Sequence, residues 1–380
     1  MQALIDATAL GSGRGGDETM LRAVIRGLGI VGRDDDRFTV LVDDETELSG
    51  LDAPPLHIEK MARRPGAVHF GIQLPWSLAR RRAEVEVAFT VTHAPLHSPV
   101  PVALMVLDLS FLHLPEVYPR RTRLRLTSLV GHQVHRAACV LTVSEFCRQD
   151  LIDSYGLEPG RVHVVPLAIE SQPPLSPDRR ARATASLTEH KIDGPFILYL
   201  GNLHPRKNVA RTIRAFTEAR RIDRALRDHQ LVIAGARWWG SGEEQAAAAA
   251  PPTSVVFMGR VDDDTRRVLL EEADALVYVS RFEGFGLPPL EAMAASTPVL
   301  AANAAALPEV TGGAAMLVDP DDDRAITVGI RRILTDQALR ADLVTRGRVR
   351  ASHYDLETTG AATRAALGAA LDQGVMARRS

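Results

Sequence analysis

Short apolar runs recur along the first half of the chain at 3–5, 38–42, 85–90, 102–107, 139–143 and 162–165, alternating with stretches of helical periodicity. Such runs suit strands buried on both faces, and the alternation predicts parallel sheets covered by helices. After Glu170 the stretch Ser171-Gln172-Pro173-Pro174-Leu175-Ser176-Pro177 reads as a proline-rich hinge. A second series follows at 196–200, 230–234, 255–258, 275–279, 298–301 and 315–318. The pattern predicts an α/β protein of two Rossmann-like domains, 1–170 and 191–352, with a linker over 171–190. In such folds the ligand cleft lies between the domains, at the carboxyl ends of both sheets. The alanine run at 245–250, between Glu243-Glu244 and Pro251-Pro252, reads as a capped surface helix.

Composition narrows the class. At 380 residues the chain is too long for one typical core, and 46% apolar residues with mixed charge describe a globular protein. A net charge of −2 provides no overall basic field for nucleic acid. Local clusters at Arg63-Arg64, Arg80-Arg81-Arg82 and 120–125 read as solvated faces, with a membrane-surface patch on the first half left open. The apolar run 100–107 is interrupted by Pro101 and falls short of a bilayer span. The first residues lack a basic region followed by a long apolar stretch, so the reading is cytoplasmic, with peripheral contact at the inner membrane face left open. Cys139 and Cys147 are spaced for neither a redox pair nor a zinc knuckle and read as buried thiols in a reducing cytosol.

The most informative segment is Glu283-Gly284-Phe285-Gly286-Leu287-Pro288-Pro289-Leu290-Glu291. It follows the apolar run 275–279, and Pro288 or Pro289 suits a first helical turn, so the glycines sit in a strand-to-helix turn. Gly284 and Gly286 let backbone N–H groups approach a ligand, and the helix N-terminus favours a phosphate. Glu291 falls within the first turn and Glu283 at the strand edge. Two carboxylates beside an anion site suit hydroxyls, one on a ribose and one on a sugar, which points to a sugar nucleotide. A plainer alternative is that Glu291 complements the helix dipole and Glu283 caps a turn. Upstream, Arg206 and Lys207 lie between the run 196–200 and a helical stretch from 209. Cations at a helix start oppose the dipole and so call for an anion such as a diphosphate.

The string from Ser280 through Glu291 to Val299 resembles the signature of the retaining, nucleotide-sugar-dependent glycosyltransferases of family 4, which have the GT-B fold. The resemblance implies two Rossmann-like, doubly wound parallel-sheet domains facing a central cleft: an acceptor-side N-terminal domain and a nucleotide-sugar-binding C-terminal one. It also implies that a final helix over 355–374 packs back on the first domain. It assigns Arg206 and Lys207 to the departing diphosphate and Glu283 to the donor sugar. Glu291 takes the ribose, the backbone at Gly284, Phe285, Gly286 and Leu287 the sugar hydroxyls and phosphate, and the segment around Val261 the base. Asp262-Asp263-Asp264, Asp34-Asp35-Asp36 and Asp321-Asp322-Asp323 lie between elements, where Asp favours turns and N-caps, so neither a metal nor another cofactor is expected.

Gly11-Ser12-Gly13-Arg14-Gly15-Gly16 matches the dinucleotide pattern formally but begins five residues after Asp6, too late for that fingerprint. In the family reading Gly15 and Gly16 open a helix over 19–28 that faces donor and acceptor. Asp17 and Glu18 replace the usual small apolar residue and glycine. They are ordinary capping residues or, alternatively, signs of an amine-bearing polar acceptor, with Arg14 as the other available cation. In Val106-Leu107-Asp108-Leu109-Ser110-Phe111, Leu107 stands where the family has histidine, Asp108 is kept on the acceptor side, and His113 reads as a loop residue. Val143-Ser144-Glu145-Phe146 and Val164-Val165-Pro166 also resemble the family, although Leu167-Ala168 replaces its Asn-Gly. The implied activity is hexosyl transfer of mannosyl or glucosyl type from a nucleoside diphosphate sugar to a hydroxyl on a sugar, natural product or lipid-linked glycan. A sugar-nucleotide epimerase and a non-catalytic sugar-nucleotide binder are the alternatives.

Overall fold

In a computed structural model the chain forms two units, residues 1–170 with 354–380 and residues 171–353. The structure describes all residues except 12–15, 44–47, 49–50, 52, 171–172, 237–241, 243–245, 248 and 380, and only the backbone of 17 and 375–379. Of the alanine run expected as a surface helix, residues 245 and 248 lie outside the described residues, as do the preceding 243 and 244, and residues 246–247 are helical.

The first unit is built on β1 (Gln2–Asp6), β2 (Arg37–Val42), β3 (Leu56–Lys60), β4 (Val87–Val91), β5 (Val102–Met105), β6 (Cys139–Thr142) and β7 (Val162–Val164). Their order is β3-β2-β1-β4-β5-β6-β7, with every pair parallel. Its helices include α1 (Gly16–Val31), α2 (Leu74–Arg80), α3 (Arg120–Arg136) and α4 (Glu145–Tyr155). The second unit has β8 (Phe196–Leu200), β9 (Gln230–Ala234), β10 (Val255–Gly259), β11 (Ala275–Tyr278), β12 (Val299–Ala302) and β13 (Met316–Val318), in the parallel order β10-β9-β8-β11-β12-β13. Around it lie α5 (Pro177–Glu189), α6 (Val209–Ile222), α7 (Asp263–Glu272), α8 (Leu287–Ala294), α9 (Leu307–Thr311), α10 (Asp323–Thr335) and α11 (Gln337–Ala351). Each sheet reverses its winding once, between β1 and β4 and between β8 and β11. Those are the points where open α/β sheets leave a crevice at the strands' carboxyl ends.

The apolar runs form strands as expected, and β3 is an addition. It pairs only with β2, at the sheet edge, and His57, Glu59 and Lys60 break its apolar pattern because an edge strand need not be buried on both faces. Two of the three aspartate triplets supply caps, and in the third Asp36 accepts from Arg33 N at 2.9 Å in a turn. Asp262 accepts from Thr265 N at 2.7 Å, and Asp322 accepts from Arg324 N at 2.8 Å and Ala325 N at 3.0 Å. Both cysteines are buried, which pushes their thiols up to about 12. No helix among the described residues is long and apolar enough to cross a membrane.

The final helix, α12 (Leu356–Arg379), belongs to the first unit and lies against α1. Arg364 Nε meets Asp36 Oδ2 at 2.7 Å, and Thr359 Oγ1 donates to Pro166 O at 2.7 Å. The two helices touch backbone to backbone. A Cβ on Gly360 would lie 2.2 Å from Gly27 O, and one on Gly27 would lie 2.5 Å from Leu356 O. Gly360→Leu should therefore cost at least about 2 kcal/mol in denaturant unfolding. Gly368→Ala, whose Cβ meets nothing within 4 Å, should be neutral or gain up to about 1 kcal/mol. Equal effects of the two substitutions would show that the close approach contributes nothing.

Candidate active site

The second sheet gathers its charge where β8 and β11 end. Both strands are fully buried and paired in register, Leu276 opposite Leu198, so the polar groups of this region can only follow the last strand residues. After β8 the chain turns through a 3-10 helix, Pro205–Lys207, and Asn208 with φ 62° then opens α6. After β11 it runs through Ser280 to Glu283. Hydrogen bonds stitch the two loops: Arg281 N donates to Arg206 O at 2.8 Å, and Ser280 Oγ to the same oxygen at 3.1 Å. Asn208 Nδ2 donates to Val279 O at 3.1 Å and to Pro320 O at 2.7 Å.

The anion that Arg206 and Lys207 call for is, in this chain, Glu283. Its carboxylate is 5% exposed and bridges both cations, Oε2 lying 3.0 Å from Arg206 Nη1 and Oε1 2.5 Å from Lys207 Nζ. Tyr278 closes the group: its hydroxyl donates to Glu283 Oε1 at 3.0 Å and accepts from Lys207 Nζ at 2.6 Å. Burial pushes the Glu283 carboxyl up, but the charges of Arg206 and Lys207 outweigh it and hold the group at about 2. The Tyr278 hydroxyl, buried and facing that carboxylate, is raised well above its usual value. Two cations and one carboxylate leave a net positive charge at the winding reversal, an arrangement suited to holding an anion.

Beyond Glu283 the loop reaches Gly286, whose φ of 107° caps α8. A side chain there would be strained in its backbone and its Cβ would lie 2.6 Å from Leu307 Cδ2, so the turn requires glycine. Leu287 is the first residue of α8, which makes Glu291 the fifth. The expectation that Glu291 lies in the first turn is therefore corrected: with Gly286 as the cap, the helix starts one residue before Pro288 and Glu291 moves to the second turn. It also has a partner in Arg266 Nη1, 2.6 Å from its Oε1. Burial raises the Glu291 carboxyl, with Arg266 opposing and Asp263 adding to the rise. Arg266 stands on α7, just after the turn of Gly259 (φ 68°) and Val261, so the pair links the end of β10 to α8.

In the first unit Gly15 and Arg14 lie outside the described residues, as does the Asp17 side chain; Gly16 opens α1 and Glu18 is its third residue. Asp108 accepts from Ser110 N at 2.9 Å and Ser110 Oγ at 2.6 Å, bracing the turn Ser110–His113. Leu107 is half-buried, and its carbonyl accepts from Cys147 Sγ at 3.4 Å. His113 is the last residue of that turn, not a loop residue, and pairs with Asp150 at 2.7 Å. Thus Arg206, Lys207 and Glu283 meet directly, Glu291 and Val261 sit at neighbouring strand ends of the same unit, and Asp108 and Glu18 belong to the other unit. Sequence reasoning missed Tyr278, Ser280, Asn208 and Arg266. Tyr278 hides within an apolar run, and its hydroxyl is the only cue.

Residues 32–172 match the family model described as Glycosyltransferase Family 4, and residues 186–350 match the one described as Glycosyl transferases group 1. The chain belongs to the family 4 glycosyltransferases. Among relatives of this glycosyltransferase, O-antigen chain mannosyltransferase B of Escherichia coli is 29% identical over 253 residues, 66% of this chain and 65% of that protein. O-antigen chain mannosyltransferase RfbU of Salmonella typhimurium is 24% identical over 230 residues, 60% of each chain. The matches thus span less than two thirds of either relative. The fold resembles sucrose-phosphate synthase of Thermosynechococcus elongatus, with TM-score 0.70, 19% identity, and 100% and 99% of the two chains covered. It also resembles Anabaena HepE in complex with UDP-glucose, with TM-score 0.71, 18% identity, and 97% and 99% covered. These likenesses establish the GT-B fold class for the glycosyltransferase.

A carboxyl depressed on folding stabilises fully above its usual value, and that contribution is lost as pH falls through the folded value. For Glu283 these values are 4.5 and about 2. Denaturant unfolding at stepped pH should show a loss on the order of 3 kcal/mol across that window, and Glu283→Gln should remove that component. An acid limb identical in both proteins would mean the ion triad adds nothing to folding.

Proposed function

We propose that this glycosyltransferase moves a hexosyl unit, of mannosyl or glucosyl type, from a nucleoside diphosphate sugar to a hydroxyl acceptor, with retention of anomeric configuration and without a metal. The observation that carries this reading is the Glu283 carboxylate spanning Arg206 and Lys207 at the winding reversal of the second sheet. A diphosphate is a stronger anion than a carboxylate and would take over the two cations, leaving Glu283 for the sugar hydroxyls. As the bond from the anomeric carbon to the phosphate oxygen breaks, its electron pair goes to that oxygen, and Arg206 and Lys207 stabilise the charge. The acceptor hydroxyl bonds to the anomeric carbon from the same face and gives its proton to the departing oxygen, so no protein nucleophile is required. Glu291, held by Arg266, is assigned to the ribose, and the backbone near Val261 to the base. The relatives' names, O-antigen mannosyltransferases, and the UDP-glucose held by HepE support a hexose donor.

A peripheral membrane contact is part of the same reading. Val68, Ile72 and Trp76 are exposed at four-residue spacing, and Arg80 stacks on the Trp76 ring at 4.4 Å. Residues 61–83 contain five arginines and no acid. Apolar side chains within an acid-free cationic stretch suit the surface of an anionic bilayer.

Lys207→Ala should lower kcat on the order of 10²-fold or more at saturating donor, measured with a panel of nucleoside diphosphate sugars and acceptors and with product anomers assigned by NMR. Unchanged kcat, an inverted product or abolition by a chelator with rescue by a divalent ion would contradict the mechanism. Nucleotide binding without turnover on any acceptor would favour the non-catalytic reading, to which Leu107 in the histidine position points. Epimerised free sugar nucleotide would favour the epimerase.

Vesicles containing phosphatidylglycerol should sediment the protein, and vesicles of phosphatidylcholine alone should not. Ile72→Ser with Trp76→Ser should cut that binding roughly tenfold or more. Equal sedimentation with both vesicle types would remove the contact from the proposal.

A further inference from the structure

The winding reversal of the first sheet holds a second buried ionic group. Asp6, the last residue of β1, is 5% exposed, and His69 is 4% exposed. His69 opens a π-helical turn, His69–Gln73, a local distortion often found at functional sites. Its Nε2 lies 2.9 Å from Asp6 Oδ2, and its Nδ1 lies 3.0 Å from Gln73 Oε1. The Gln73 amide is oriented by its own nitrogen, which donates to Ala62 O at 2.9 Å, so the atom facing Nδ1 is an oxygen that can only accept. The other Asp6 oxygen, Oδ1, accepts from Thr8 N at 3.2 Å and from Thr8 Oγ1 at 2.8 Å.

Thr8 Oγ1 also lies 3.4 Å from Nε2, but its one hydrogen is given to Asp6 Oδ1 at 2.8 Å, so both imidazole nitrogens face acceptors, whereas a neutral ring has only one N–H. A neutral His69 would press a lone pair against an oxygen in a buried site, at the cost of an unmade hydrogen bond. We propose that His69 is held as a doubly protonated imidazolium at neutral pH, and that this cation and Asp6 form a positioning pair that fixes the turn leaving β1, residues 7–10, for turnover. The turn leads toward the glycine-rich segment, so the link to turnover rests on the transferase reading, whereas the protonation state does not. Burial opposes the charge, but the hydrogen bond and charge of Asp6, with the Gln73 bond, raise the His69 pKa above its usual value. Around the ring, Phe70 meets His69 edge-on at 4.7 Å and His93, beyond β4, at 5.4 Å. At the end of β2, Asp43 is paired with Arg63 at 3.5 Å. Asp6 is thus the counterion of His69.

A histidine raised on folding stabilises fully below its usual value, and that contribution is lost as pH rises through the folded value. The test is a proton–nitrogen NMR spectrum of histidine-labelled protein at pH 7.5, with the pH profile of kcat alongside. The wild-type chain should show two N–H signals from one imidazolium ring, both absent in His69→Gln. Asp6→Asn should move the alkaline limb of kcat at least about one pH unit lower. A single N–H signal in the wild-type protein overturns the proposal while leaving the transferase reading intact. Two signals with an alkaline limb unmoved by Asp6→Asn overturn the positioning role. If the Asp6 variant does not fold, the wild-type spectrum still decides the protonation state, and His69→Lys, which keeps a cation, decides the role: it should retain more kcat than His69→Gln above pH 7.5, and equal losses overturn it.

Discussion

In a parallel sheet covered by helices on both faces, the strands have no face left for charge, and polar groups can collect only where strands stop. Both sheets of this chain are of that kind, and each reverses its winding once, at the place where open α/β sheets leave a crevice beyond the strand ends. The second sheet puts Arg206, Lys207 and Glu283 there, and the first puts Asp6 and His69. Burial dictates that these charges be paired, since an isolated ion at such depth costs far more than a folded domain can spare.

Pairing has a consequence for binding. A buried ion pair gains little net stability over apolar residues of the same size, because desolvation consumes most of the attraction. What the Glu283 triad provides instead is a preformed pair of cations held in place by a carboxylate, which the proposed reaction would turn to the donor diphosphate. Tyr278 contributes by filling the space beneath the triad with an apolar ring, stacked on Tyr199 at 6.2 Å, while its hydroxyl satisfies both Lys207 and Glu283. Gly286 serves the same geometry from the other side, since only glycine lets the loop turn into α8 against Leu307.

The first unit departs more from the family pattern. Leu107 replaces the usual histidine, and the nearby His113 is committed to Asp150 on α4. Asp108 spends its carboxylate on Ser110 and the turn that follows. A titratable group built into this unit's winding reversal is instead His69, reached from a different segment and anchored to the end of β1.

The sequence by itself determined the alternation of buried strands and helices, the two units' sheets and the strand-to-helix turns at Arg206-Lys207 and Glu283–Gly286, because burial on both faces, helix periodicity and glycine's conformational freedom are local properties written in consecutive residues. It did not reveal β3, whose His57, Glu59 and Lys60 are permitted by its edge position, a matter of its neighbours and not its own pattern. Nor did it give the start of α8, which a cap at Gly286 sets and which moves Glu291 to the second turn. Partnership was out of reach altogether. Arg206 and Glu283 are 77 residues apart, and Asp6 and His69 are 63 apart. Only the pairing of β11 beside β8, and the return of the chain from β3 across β1, bring these side chains within hydrogen-bonding distance, because contacts across a parallel sheet depend on strand order, which no stretch of sequence carries locally.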